Sequence, residues 1–280
     1  MTAPHFIRGL SEIAPQYDAI ICDVWGVVHN GRDAFPDAIA AIRRFRKERG
    51  PAILLSNAPR LPDGVESQFV HLGIPLDFYD AIVTSGVAAR DDLIRRLQEG
   101  GELPLFYLGP PRDNPVFHGL NIRFTGPDEA KLVFCTGLLD DDTETPDDYR
   151  PLLEGFLARR LPFLCANPDI VVQRGERLVY CAGALTRLYE TMGGEAVYFG
   201  KPHPAVFERA IDLARRISAA SKFMVIGDGI ETDLGGARRM GLDALFIAGG
   251  IHSRDDETSL GQLFGQHGVT AVAAMRMLRW

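Results

Sequence analysis

Cysteine is scarce in this chain: four among 280 residues, Cys22, Cys135, Cys165 and Cys181. No two stand as C-x-x-C, so neither a zinc knuckle nor a disulfide framework is suggested, and buried free thiols are expected. Long apolar runs are missing as well. No uninterrupted stretch approaches the roughly 20 residues that a bilayer-spanning helix needs. The opening MTAPHFIRGLSEIAPQ shows no apolar run after a basic stretch. No membrane association is therefore expected, and a cytoplasmic location is. Positive charge is in deficit, 30 Lys and Arg against 37 Asp and Glu for a net charge of -7. That balance argues against a nucleic-acid partner, which needs a concentrated basic face. It leaves small anionic substrates open, because a metal can screen a site. No G-x-G-x-x-G opens a helix after the first apolar run, which sets a dinucleotide cofactor aside.

Hydrophobic residues at 46% and charged residues at 24% are ordinary for a soluble globular protein, and the length allows two domains. Apolar runs of strand length occur at Ala19 to Cys22, Ala52 to Leu55, Ala81 to Val83, Phe223 to Ile226 and Ala244 to Ala248. Helix-patterned stretches alternate with them. Pro36 suits a first helical position, Asp37 to Arg49 is amphipathic, Gly50 suits a left-handed terminator, and residues 205–216 repeat the helical pattern. The alternation predicts an α/β fold, a doubly wound parallel sheet with helices on both faces. Between the third and fourth runs, residues 99–195 carry strand-like segments of their own at Leu105 to Leu108, Leu132 to Cys135 and Phe163 to Ala166. This stretch is expected to form an inserted domain, with residues 1–98 and 196–280 making a discontinuous core. The acidic segment Asp140 to Asp148 reads as a solvated loop.

In an open parallel sheet, ligands bind at the carboxyl ends of the strands. Asp23 follows AIIC, Ser56 and Asn57 follow AILL, Asp228 of GDGIETD follows FMVIG, and Lys201 lies in GKPHP. One carboxylate able to act as nucleophile, a second to share a divalent ion, a hydroxyl and amide pair and an amine together fit phosphoryl transfer. Carboxylates suit magnesium, and the donors can stabilise charge on transferring oxygens. His29 and His203 are read as locally bonded rather than catalytic. Asn30-Gly31 after Val27 and Val28 signals a tight turn, a flap over the site.

At these residues the chain resembles the haloacid dehalogenase superfamily, whose four motifs are matched in order by ICDVWGVV, LLSNAPR, GKPHP and VIGDGIETDLGG. With CANPDIVVQRG in the insertion, it looks like the class IIA branch, which includes sugar-phosphate, nitrophenyl-phosphate and pyridoxal-phosphate phosphatases. The resemblance implies a Rossmann-like core with an α/β cap and a Mg²⁺-dependent phosphatase acting on a small phosphorylated metabolite. It makes Asp23 the nucleophile and a metal ligand, Asp228 a metal ligand, Asp233 an outer-shell support, and Ser56 and Lys201 phosphoryl contacts. Asn57 becomes an orienting group, the carbonyl of Trp25 a further metal ligand, and Asn167 and Asp169 the cap residues facing substrate. A homodimer is left open.

One position departs from the pattern. Phosphatases of this superfamily usually carry an Asp two residues after the nucleophile, which protonates the leaving oxygen and later activates water; here it is Trp25. Slow hydrolysis, or binding without turnover, is the alternative reading. The dehalogenases of the superfamily carry an aromatic residue there, but they work without magnesium, whereas this chain keeps Asp228 and Asp233. Phosphate is favoured over halide.

Overall fold

A computed structural model describes residues 4–175, 177–249, 252–253 and 255–280. In chain order the first strands and helices are β1 Ala19–Cys22, α1 Pro36–Glu48, β2 Ala52–Ser56, α2 Pro62–His71, β3 Ala81–Thr84 and α3 Ser85–Gly100. A second group follows: β4 Leu103–Leu108, β5 Ile122–Phe124, β6 Leu132–Cys135, α4 Arg150–Ala158, β7 Phe163–Cys165, β8 Val171–Arg174, β9 Arg177–Tyr180, α5 Ala182–Thr191 and β10 Ala196–Tyr198. The chain then adds α6 Pro204–Ile217, β11 Phe223–Gly227, α7 Gly235–Met240, β12 Asp243–Ile247, α8 Glu257–His267 and β13 Ala273–Met275.

The first sheet is parallel throughout in the order β13-β12-β11-β1-β2-β3. Every residue of β1, β2 and β11 is buried, as strands covered on both faces require. Alternation divides them: Ile20, Cys22 and Leu54 pack with α1 and α2, while Ala19, Ile21 and Leu55 pack with α6, α7 and α8. The chain leaves β1 toward β2 and β3, then returns on its other side through β11. A crevice therefore opens between the carboxyl ends of β1 and β11, where a doubly wound sheet binds its ligand.

The second sheet, β10-β7-β6-β4-β5, is also parallel, with an antiparallel hairpin β8-β9 beside it. Its last strand ends at Tyr198, so this sheet reaches past the residues 99–195 expected for the insertion. Gly50 is a correction. It is not among the glycines of positive φ; instead a Cβ there would lie 2.1 Å from the Asp18 carbonyl oxygen, so the requirement for glycine is close approach of two chain segments. All four cysteines are free and buried, as expected. Among the described residues no helix is long and apolar enough to cross a membrane.

Candidate active site

The turns that end β1, β2 and β11 deliver Asp23, Ser56, Asn57 and Asp228 to one edge of the first sheet, and a cavity of about 710 Å³ there is roofed by the second sheet's loops. Asp23 is fixed through Oδ1, which accepts from Val24 N at 2.7 Å and lies 2.6 Å from Lys201 Nζ. The same Nζ donates to Asp233 Oδ1 at 2.9 Å, and Asp233 Oδ2 accepts from Gly229 N at 3.1 Å. Lys201 is buried between the two carboxylates. Burial alone would favour its neutral form, but Asp23, Asp233 and Asp169 hold its pKa above the ordinary lysine value.

The carboxyls answer in kind. Burial raises Asp23, with Lys201 opposing, and lifts Asp233 to about 7. Asp228 is pushed well above the usual carboxylate range, first by burial and then by Asp23 and Asp233. Asp23, Asp228 and Asp233 each offer an oxygen within 4.8 Å of the others. Three carboxylates with one lysine leave an excess of negative charge. That donor set fits a hard divalent cation.

Gly26 makes room for it. Its φ is +86°, and a Cβ there would lie 2.0 Å from Asp228 Oδ2. Gly26→Ala is expected to displace Asp228, weakening divalent-ion binding by about 10- to 100-fold, the range seen when groups that orient a metal ligand are lost. Calorimetric titration with Mg²⁺ reads the effect, and unchanged affinity would show that Asp228 is not a ligand.

Other expected site residues fall into distinct roles. Ser56 lines the cavity and its Oγ accepts from Ala58 N at 3.1 Å. Asn57 is turned away from a phosphoryl contact: Oδ1 accepts from Lys201 N at 2.8 Å and Nδ2 donates to Asp169 Oδ1 at 2.8 Å. Its amide positions the lysine loop and ties it to the second sheet. Asn167 Oδ1 accepts from Asp169 N at 3.1 Å, and burial raises the Asp169 carboxyl with Lys201 opposing. His29 is buried, its pKa pushed down to about 4 by that burial, and its Nδ1 accepts from Gly31 N at 3.0 Å. His203 stacks on Tyr198 outside the cavity.

The flap is a turn rather than a pair of strands. Asn30 Oδ1 accepts from Arg32 N and Asp33 N at 3.0 and 2.7 Å, Gly31 takes φ +83°, and pairing is limited to single bridges at His29. Trp25 packs over it, and a Cβ on Gly31 would lie 2.5 Å from the indole. The indole Nε1 donates to Gln173 O of β8 at 2.7 Å, a link that local sequence pattern could not announce. Two further residues missed from sequence are Arg60 and Asp113, whose ion pair at 2.9 Å also joins the two sheets' loops. The acidic segment is corrected in part: Asp141, only 10% exposed, pairs with Arg112 and Arg174 at the cavity wall.

The profile of the haloacid dehalogenase-like hydrolases matches residues 20–123, and a second described as HAD-hydrolase-like matches residues 198–273. The chain is 26% identical over 243 residues to the ribonucleotide monophosphatase NagD of Escherichia coli, covering 86% of this chain and 91% of that one. It is 27% identical over 255 residues to the D-glycerol 3-phosphate phosphatase of Mycobacterium tuberculosis, covering 88% of this chain and 67% of that one. A solved hydrolase of the haloacid dehalogenase-like family from Brucella suis superimposes with a TM-score of 0.86 and 42% identity over 98% of this chain and 100% of that one. Agreement of motifs, site and whole-chain similarity places this protein in the haloacid dehalogenase-like hydrolase family, in its class IIA branch.

Proposed function

We propose that the protein is a Mg²⁺-dependent phosphatase that hydrolyses a small phosphorylated metabolite through an aspartyl-phosphate on Asp23. The supporting observation is the crowding of Asp23, Asp228 and Asp233 within reach of one another, with Lys201 paired to Asp23 and Asp233. Asp23, Asp228 and the carbonyl of Trp25 would hold the ion, with Asp233 fixing the surroundings through Lys201 and Gly229. When bound, magnesium neutralises charge on the phosphoryl oxygens.

The contacts of Oδ1 with Val24 N and Lys201 fix the orientation of the Asp23 carboxylate, one oxygen of which attacks phosphorus. A bond from that oxygen to phosphorus forms, the ester P–O bond breaks, and the organic oxygen departs with the bonding pair. Lys201 and the Ser56 hydroxyl stabilise charge on the phosphoryl oxygens. Water then attacks the phosphorus of the aspartyl-phosphate, releasing inorganic phosphate and restoring the Asp23 carboxylate. Residues from Leu103 to Tyr198 act as the cap, closed on the core by Trp25 to Gln173, Asn57 to Asp169 and Arg60 to Asp113. Closure excludes bulk water.

Asp228→Asn is expected to weaken Mg²⁺ binding by about 10-fold or more and to abolish metal-dependent turnover of nitrophenyl phosphate. Binding should also weaken as pH falls through about 7, because burial and mutual repulsion favour protonated Asp233 there and raise Asp23 and Asp228, so the ion must displace protons. Equal affinity in wild type and Asp228→Asn would remove the metal from the proposal.

A further inference from the structure

The cavity wall also carries charge that phosphoryl transfer does not use. Asp141 accepts from Arg174 twice, Oδ2 from Nη2 at 2.7 Å and Oδ1 from Nη1 at 3.2 Å, and its Oδ2 also accepts from Arg112 Nη2. Asp141 is 10% exposed, Arg174 28% and Arg112 45%, and all three line the cavity that holds Asp23. Asp142 reaches Arg174 at 3.5 Å, but that carboxylate is 58% exposed and shared with Arg177, so water screens it. Among the described residues, two guanidiniums on one shielded carboxylate leave a single positive charge. Arg112 commits only part of its five donors to Asp141.

Position relative to the chemistry is set by Gly31. A Cβ built there would lie 2.5 Å from the Trp25 ring and 3.5 Å from Arg174 Cγ, so the Arg174 stem runs beside the indole. Trp25 stands where the phosphatases this chain resembles carry the carboxyl that protonates the leaving oxygen. Arg174, and Arg112 through their shared Asp141, therefore border the part of the cavity beside Trp25, which the phosphatase reading gives to the leaving group.

We infer that the leaving group carries a carboxylate, received by Arg112 and Arg174, so that the substrate is a phosphorylated hydroxy acid. The inference rests on the phosphatase reading and names its substrate class. One residual positive charge matches a carboxylate rather than a dianionic second phosphate. The planar fork of a guanidinium matches its two oxygens. A role confined to strapping β8 to the acidic loop would place no demand on the substrate.

The test compares 4-carboxyphenyl phosphate with 4-carbamoylphenyl phosphate, alike in size and leaving atom but different in charge. Wild type is expected to prefer the carboxylated ester in kcat/KM by about 10-fold, the scale of one charge-assisted hydrogen bond. In Arg112→Gln and Arg174→Gln the ratio should fall toward one. Equal kcat/KM for the two esters in wild type would overturn the inference while leaving the phosphatase reading intact. So would variants that slow both esters alike with the ratio preserved, the mark of a structural strap. If wild type turned over neither ester with Mg²⁺ present, the phosphatase reading would fall and this assignment with it. The wild-type comparison needs no variant, so a folding defect cannot obscure it.

Discussion

Asp23→Asn is expected to lower kcat on any phosphate ester by about 10⁴-fold or more, the scale found when a covalent nucleophile is removed. An amide nitrogen cannot form the aspartyl-phosphate, and the carboxylates nearby are otherwise engaged: Asp233 with Lys201 and Gly229, Asp169 with Asn57, and Asp228 with the ion in the proposed site. The folded state should tolerate the change. Lys201 keeps Asp233 at 2.9 Å, so no buried cation is left unpaired. The metal-free protein loses one of the crowded carboxylates whose mutual repulsion raises Asp228 and Asp233. Its melting temperature without metal should equal or exceed that of wild type, a case of stability gained where function is lost. Steady-state rates and thermal melts check both halves, and turnover within about 10-fold of wild type would assign the nucleophile elsewhere.

The core of this site was legible because parallel strands covered on both faces read as continuous apolar runs, and each run ended on a polar residue. AIIC before Asp23, AILL before Ser56 and FMVIG before Asp228 mark β1, β2 and β11 to within a residue. The edges were not legible. β5, β10 and β13 are three residues long, and β8-β9 is partly exposed, so none produces a sustained period. Asn57 follows from its motif as an orienting group, but the partners it orients, Asp169 and Lys201 N, lie on chain 112 and 144 residues away. Arg112, Asp141 and Arg174 meet across separations of 29 and 33 residues, and surface-type residues brought together by tertiary folding leave no local trace.

Trp25 should make turnover depend steeply on leaving-group acidity. General acid catalysis contributes about 10²- to 10⁴-fold, and an indole donates no proton at neutral pH; here its N–H is in addition spent on Gln173 O at 2.7 Å. His29 lies beside it at 5.1 Å but is no substitute, since burial depresses its pKa to about 4 and holds it neutral. Wild type is therefore expected to hydrolyse nitrophenyl phosphate about 10²-fold or more faster than glycerol phosphate, with the aspartyl-phosphate lingering because water activation is impaired as well. Trp25→Asp supplies the missing carboxyl and should raise kcat on alkyl phosphates while flattening that dependence. It also cuts the link to β8, so KM should rise as the cap loosens. The two effects separate in kcat and KM. If wild-type rates prove flat across leaving groups with the chemical step limiting, another residue protonates the departing oxygen. Asp169 would then be the group to test by Asp169→Asn, because it faces the cavity and burial raises its carboxyl toward the protonated form a general acid needs.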